Sequence, residues 1–210
     1  RIYDEFGFSE IEIYLATRPE KFLGEPAVWD RAEAALARSL KAAGKEFTML
    51  PGEGAFYGPK IDVQIWSTIG REFTLATNQV DFAQGKRFKL EFTNKDNQAE
   101  TPLIIHRAPL GTHERFIGFL LEHYAGKFPL WLAPVQVKLL PISDKFIDYA
   151  MDVLRQLKNA DIRAEIDDRS EKIGKKIRDT ELLKVPYMFV IGEKEVAENK
   201  VSVRKQGKGD

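Results

Sequence analysis

The sequence predicts an α/β (α+β) chain in two parts: an antiparallel sheet with helices, then a small α/β domain. Three observations carry this. Strand-like alternation recurs between Ile61 and Ile105 without helical stretches between the strands. Pro129 and Pro134 then interrupt the pattern, and after Ala133 strands alternate with amphipathic helices. These changes place the domain boundary between residues 1–132 and 133–210.

Ile11, Ile13 and Leu15 alternate with other side chains, so a half-buried strand should end at Thr17-Arg18-Pro19. Pro26 suits the first turn of a helix in which Ala32, Ala35, Leu36 and Leu40 recur, and Gly44 supplies its stop. Ile61, Val63 and Ile65 mark a strand, 73–77 a second, 88–92 a third, and 103–105 a short apolar one. Successive strands of this kind form an antiparallel sheet. A helix over about 112–124 carries Phe116, Ile117, Phe119, Leu120 and Leu121 around most of its surface, which predicts burial.

In the second part, 135–140 reads as a strand. Ser143 should cap a helix with Phe146, Ile147, Ala150, Val153, Leu154 and Leu157 on one face. Residues 162–166 form a strand, Ser170 caps a basic helix, and 187–191 is a buried strand. This βαβαβ order gives a small mixed or parallel sheet covered by helices.

Composition sets the outer limits. Lysine plus arginine equals aspartate plus glutamate at 32 each, so no global field advertises a nucleic-acid partner. From Ala133 onward 16 basic residues face 14 acidic ones, which permits RNA contact there. Absence of cysteine excludes disulfides and any thiolate ligand from this chain. No apolar run reaches membrane-spanning length and no secretory signal opens the sequence, so a cytoplasmic protein is expected. Arg1 in place of an initiator methionine, and an end at Gly207-Lys208-Gly209-Asp210, lead us to expect a fragment.

Two segments carry chemistry. Gly52-Glu53-Gly54-Ala55-Phe56-Tyr57-Gly58-Pro59-Lys60 is a glycine-rich bend that delivers Tyr57 and Lys60 to the start of a strand. Its glycines would let backbone approach a ligand, or merely satisfy turn geometry. Lys60 is a point charge suited to a carboxylate or phosphate. The second segment runs from Ile105 to Phe116. Arg115 in an opening helical turn opposes the helix dipole, at a cost of up to about 1 kcal/mol. It would hold phosphate there, or pair with a carboxylate such as Glu114. His106, ending an apolar strand, is by itself more often a packed core residue than a ligand. His113 and His123 complete no metal set with it. Gln79 and Asp81 would share a strand face, holding a ligand amine or hydroxyl or simply facing water.

Together these segments resemble the threonine-specific branch of the class II aminoacyl-tRNA synthetases. The likeness extends through Leu15-Ala16-Thr17-Arg18-Pro19-Glu20-Lys21, Trp29-Asp30-Arg31-Ala32-Glu33, Gln79-Val80-Asp81-Phe82, Trp131 to Val137, Lys172 to Arg178 and Val185-Pro186-Tyr187-Met188. It implies a partial class II antiparallel sheet followed by an anticodon-binding domain with a mixed sheet. The implied activity is ATP-dependent joining of threonine to its tRNA, with zinc and magnesium as metals, by a homodimer.

By the same resemblance, His106 is the last of three zinc ligands, and the other two would precede Arg1. Tyr57 and Gln79 position threonine, Lys60 faces its carboxylate, and Thr112 and Ala108 lie beside it. Arg115 binds ATP phosphate, with Lys60 as the second catalytic cation, and Thr77 lies at the nucleotide. Glu195 and Arg204 contact anticodon bases, while Arg178 shares a basic helix face with Lys172, Lys175 and Lys176. Thr74 stands where relatives often carry glutamine, and His113 where methionine is commoner. The family's serine-editing domain has no counterpart in these residues. A prolyl or glycyl relative fits the C-terminal part but explains His106 and Gln79 poorly, and a non-catalytic RNA-binding protein on a synthetase body is the alternative function. The 210 residues alone are expected to be inactive.

Overall fold

The structure, a computed structural model, describes residues 2–8 and 10–208. Its contacts gather into two units, residues 1–119 and 120–210.

The first unit opens with α1 (Ile2–Glu5), β1 (Ile11–Ala16), α2 (Pro26–Ala42) and β2 (Thr48–Leu50). Then come β3 (Lys60–Trp66), β4 (Glu72–Asp81), α3 (Gln84–Arg87), the short pair β5 (Phe92–Thr93) and β6 (Ala99–Glu100), and β7 (Ile104–Ala108). Helix α4 (His113–His123) begins in this unit. The main sheet has the order β2-β1-β3-β4-β7. Every neighbouring pair is antiparallel except β1 with β2.

Pro26 begins α2 because a first-turn residue needs no amide hydrogen, and Gly44 follows the helix at φ +64°. The inner stripe of α2 packs Leu36, Ala37 and Leu40 on Leu15 and Ile61 of the sheet. Trp29 is fully buried, edge-on to both Phe22 and Phe82, and its indole N–H donates to the Leu23 carbonyl at 2.7 Å. Burial of a side chain this large contributes about 3 kcal/mol, so α2 fixes one face of the sheet and leaves the other for chemistry.

Several sequence expectations need correction here. Residues 88–92 are not a strand: α3 ends at Arg87, Lys89 has φ +53°, and pairing resumes only at Phe92. The left-handed backbone at Lys89 is what alternation could not reveal. Strand β4 runs ten residues, not five, and so includes Gln79 and Asp81. Strand β2 went unpredicted, being three residues long on the sheet edge. Helix α4 buries Phe116 and Phe119, but Ile117 is 54% exposed, so its apolar surface is broader than its packed face.

The second unit contains β8 (Val137–Pro141), a 3₁₀ turn (Asp144–Phe146), α5 (Ile147–Asn159), β9 (Ala164–Ile166) and α6 (Ile173–Leu182). It ends with β10 (Tyr187–Ile191), α7 (Glu193–Ala197) and β11 (Ser202–Lys205). The sheet order is β11-β10-β8-β9, with β8 parallel to both neighbours and β11 antiparallel to β10, hence mixed. Leu139, Ala150, Leu154, Ala164 and Ile191 form its core, with Val153 and Leu157 packed against them.

Neither predicted serine cap forms. Ser143 precedes the 3₁₀ turn without a side-chain capping bond, and Lys172, not Ser170, is the residue before α6. Lys176 also leaves the predicted basic face. It is 3% exposed, and its ammonium donates to the carbonyls of Pro141 and Asp167 at 3.0 Å each. The exposed cations of that helix and its lead-in are Lys172, Lys175 and Arg178. No helix among the described residues is long and apolar enough to cross a membrane.

Candidate active site

Three strands build the site. Register sets Lys60 opposite Gln79 and Gln79 opposite His106, a row across β3, β4 and β7. The next row on the same side is Asp62, Thr77 and Ala108. Because side chains two apart share a face and directly paired residues point the same way, Asp81 belongs to this face too. The opposite face carries Ile61 against α2.

Hydrogen bonds tie the face together. The Tyr57 hydroxyl donates to Gln79 Oε1 at 3.1 Å, fixing which end of the amide faces the bend. Lys60 Nζ lies 2.6 Å from Asp62 Oδ2, and Thr77 donates to Asp62 Oδ1 at 2.7 Å. Asp62 is 6% exposed, so the Lys60 charge compensates a buried carboxylate. An ammonium has three donors, and this pairing leaves others for a ligand. His106 Nε2 sits 2.8 Å from Asp81 Oδ2. Asp81 is 1% exposed, and its Oδ1 accepts the amides of Ala83 at 2.7 Å and Gln84 at 3.0 Å. Burial alone would raise the Asp81 carboxyl, but the bonds from His106, Gln84 and Ala83 outweigh it and hold it below the usual carboxylate range. A cavity of about 190 Å³ opens beside this face, lined by Phe56, Tyr57, Asp81 and Arg87 with Leu23 and Gln84.

The glycines of the bend serve the protein's own backbone. A Cβ on Gly54 would lie 2.5 Å from the Thr17 carbonyl oxygen, and one on Gly58 would lie 1.7 Å from that of Val80. Close approach is therefore between strands, which overturns ligand approach as the reason for these two. The bend extends the β3–β4 pairing, with Val80 N–H donating to the Pro59 carbonyl and Phe82 N–H to that of Tyr57.

Arg115 is the third residue of α4 and exposed. Its guanidinium lies 4.9 Å from the centre of the Phe73 ring, whose centre is 4.9 Å from that of Phe119. A cation–π contact of this kind contributes roughly 0.5–1 kcal/mol at an exposed site, and among the described residues Arg115 makes no ion pair. Thr112 is exposed immediately before the helix, and its carbonyl accepts the Phe116 amide at 3.0 Å. Thr74 pairs with Gln64 on β3, and His113 is exposed.

In the second unit, Glu195 Oε2 accepts the Gly192 amide at 2.9 Å and so closes the start of α7. Arg204 Nε lies 3.8 Å from Glu181 Oε1, and Arg178 is exposed on α6.

Sequence reading missed two roles, Asp62 as counter-ion of Lys60 and Asp81 as partner of His106. The first was visible as spacing, since Asp62 follows Lys60 by two within an alternating strand. The second pairs residues 25 apart in sequence, and no local signal announces it. No group of three His, Cys, Asp or Glu able to hold a metal exists among the described residues. As a lone ligand His106 fits: its side chain is 43% exposed on the site face, and among the described residues only Nε2 is hydrogen-bonded.

Comparison with known proteins agrees with this architecture. The family described as tRNA synthetase class II core domain (G, H, P, S and T) matches residues 1–124, and the anticodon binding domain matches 136–210. Threonine–tRNA ligase of Sulfurihydrogenibium sp. (strain YO3AOP1) is 50% identical over 203 residues, 97% of this chain and 32% of the relative. That of Clostridioides difficile (strain 630) is 50% identical over 209 residues, all of this chain and 33% of the relative. The chain thus spans about a third of these relatives' length. The solved RNA binding domain of threonyl-tRNA synthetase from Cryptosporidium parvum Iowa II superposes with a TM-score of 0.86 at 40% identity, covering 98% of this chain and 52% of that one.

Proposed function

Since the chain belongs to the class II tRNA synthetase core family and continues into an anticodon-binding domain, we propose that it is part of a threonine–tRNA ligase. Residues 1–132 are the later part of its catalytic domain and 133–210 most of its anticodon-binding domain. The observation that carries this is 50% identity, over 203 and 209 residues that take in both parts, to relatives that bear that name.

In the intact protein, a threonine carboxylate oxygen attacks the α-phosphorus of ATP. The bond to the bridging oxygen breaks and pyrophosphate leaves. A hydroxyl of the tRNA terminal ribose then attacks the threonyl carbonyl, and AMP departs. Tyr57 and Gln79, held to each other, position threonine beside Ala108 and Thr112. Lys60 offers its remaining donors to the carboxylate, and Thr77 lies at the nucleotide. Arg115 stabilises phosphate charge, for which Phe73 holds its guanidinium face. Magnesium accompanies ATP. Zinc would be held by His106 together with ligands from outside these residues, and when bound it supplies a Lewis acid that recognises the substrate amine and hydroxyl. Such recognition rejects valine, whose methyl group leaves the site unsatisfied. Arg178, Glu195 and Arg204 meet the anticodon loop, where bases are splayed out for side-chain contact. The whole enzyme is a cytoplasmic homodimer.

The test has two arms. The intact protein should catalyse threonine-dependent ATP–pyrophosphate exchange, and the 210 residues alone should not. The chain should also bind the cognate tRNA transcript more tightly than one with an exchanged anticodon. Exchange by the 210 residues overturns only their expected inactivity, whereas its absence from the intact protein, or equal binding of both transcripts, overturns the assignment, the latter in favour of a general RNA binder.

A further inference from the structure

His106 is held from one side. Its Nε2 meets Asp81 Oδ2 at 2.8 Å, while Asp81 is 1% exposed and anchored through its other oxygen by the amides of Ala83 and Gln84. Those two amides fix the carboxylate plane, so Oδ2 offers only a lone pair toward the ring. A carboxylate oxygen accepts and does not donate, so the proton of the neutral imidazole must sit on Nε2. The lone pair is then on Nδ1.

We infer that Asp81 is the positioning residue that sets the tautomer and ring plane of His106, presenting Nδ1 as a ligand for a divalent transition metal. This deepens the proposed function and rests on its assignment of His106 to the metal. The chemistry is general: a metal-bound imidazole is oriented by the hydrogen bond of its other nitrogen, and loss of that partner weakens binding by roughly 10–100-fold. The carboxylate lies one strand away on β4 and acts on the metal only through the ring it holds. Gln79 lies directly opposite His106 in the sheet, and its Oε1 is taken by the Tyr57 hydroxyl.

Asp81→Asn is a discriminating variant. Its side-chain oxygen can still accept both amides, preserving the turn, while its NH₂ would face the ring and donate to Nε2. The proton must then move to Nδ1, which blocks the ligand position.

The first measurement is ¹⁵N NMR of His106 in the 210-residue chain with the ring neutral. Wild type should show the Nε2–H form and Asp81→Asn the Nδ1–H form. A wild-type ring predominantly protonated on Nδ1 overturns the inference without any variant. The second is zinc affinity of the intact protein by chelator competition. Asp81→Asn should weaken it roughly 10–100-fold, with a melting curve confirming the fold. If His106→Ala abolishes zinc binding and Asp81→Asn leaves it unchanged, the positioning role is wrong while the metal assignment stands. If His106→Ala itself leaves zinc content unchanged, the metal assignment fails and the inference falls with it, even where the tautomer is as expected.

Discussion

Gly58 and Val80 touch backbone to backbone: a Cβ on Gly58 would sit 1.7 Å from the Val80 carbonyl oxygen. This contact clamps the glycine-rich bend onto β4 one residue from Tyr57 and one from Gln79, the two side chains that bond each other. The bend is therefore a structural part of the sheet, and its lysine and tyrosine are held at fixed heights above it.

Gly58→Ala should thus be the costliest single change in the bend. Overpacking of this kind costs about 3 kcal/mol, to be read from denaturant unfolding of the first unit. Gly52 has φ +86° and open space around its missing Cβ, so Gly52→Ala should cost about 1 kcal/mol through backbone strain alone. Equal losses would show that the Val80 contact does not constrain the bend.

Lys60 and Asp62 should be strongly coupled. Lys60→Met leaves a buried carboxylate with Thr77 as its remaining side-chain donor, a loss of about 3 kcal/mol. The double variant Lys60→Met, Asp62→Asn should recover much of it, giving a coupling of roughly 1–3 kcal/mol in a double-mutant cycle. Additive losses would mean that the pair contributes nothing as a pair.

Acid should loosen the second unit through Asp167. The Arg169 side chain bonds both of its oxygens and outweighs the burial that would raise the carboxyl, so the folded form titrates below the usual range. A depressed carboxylate stabilises the fold fully above its unfolded value of about 3.9. That contribution is lost as pH falls through the lower folded value. With Arg169 half exposed, its size is about 1–2 kcal/mol. The protection of β8 amides, taken relative to the intrinsic exchange rate at each pH, should therefore fall below about pH 4, and Asp167→Asn should flatten the dependence. An unchanged profile in the variant would place the acid sensitivity elsewhere.

Lys176 and Lys172 should separate stability from RNA contact. Lys176→Met strands two buried carbonyls and should cost about 3 kcal/mol. Lys172→Ala should change stability by less than about 0.5 kcal/mol. It should also reduce the salt dependence of transcript binding by about one counterion. The reverse pattern would mean that Lys176 reaches solvent.

The site is partly legible in the sequence. Alternation through Ile61, Val63 and Ile65 locates β3, and with it the face of Lys60. The connection between Asp81 and His106 is not legible there, because it depends on β4 continuing to residue 81 and on the register with β7. The basic helix shows the same limit. Periodicity puts Lys172, Lys175, Lys176 and Arg178 together as cations, but only the packing of α6 on β8 turns Lys176 inward to the carbonyls of Pro141 and Asp167.

Local sequence was sufficient for what depends on neighbours along the chain: helix α2 with its proline start, the alternating strands β1 and β3, the two-part organisation, and the motifs that mark the synthetase family. Tertiary structure alone decided which charges meet, which glycines are sterically required, and which lysine is buried. Those outcomes depend on strand register and helix rotation, where a shift of one residue moves a side chain to the opposite face. Such a shift is settled by the summed packing of the whole sheet, which no short window of residues contains.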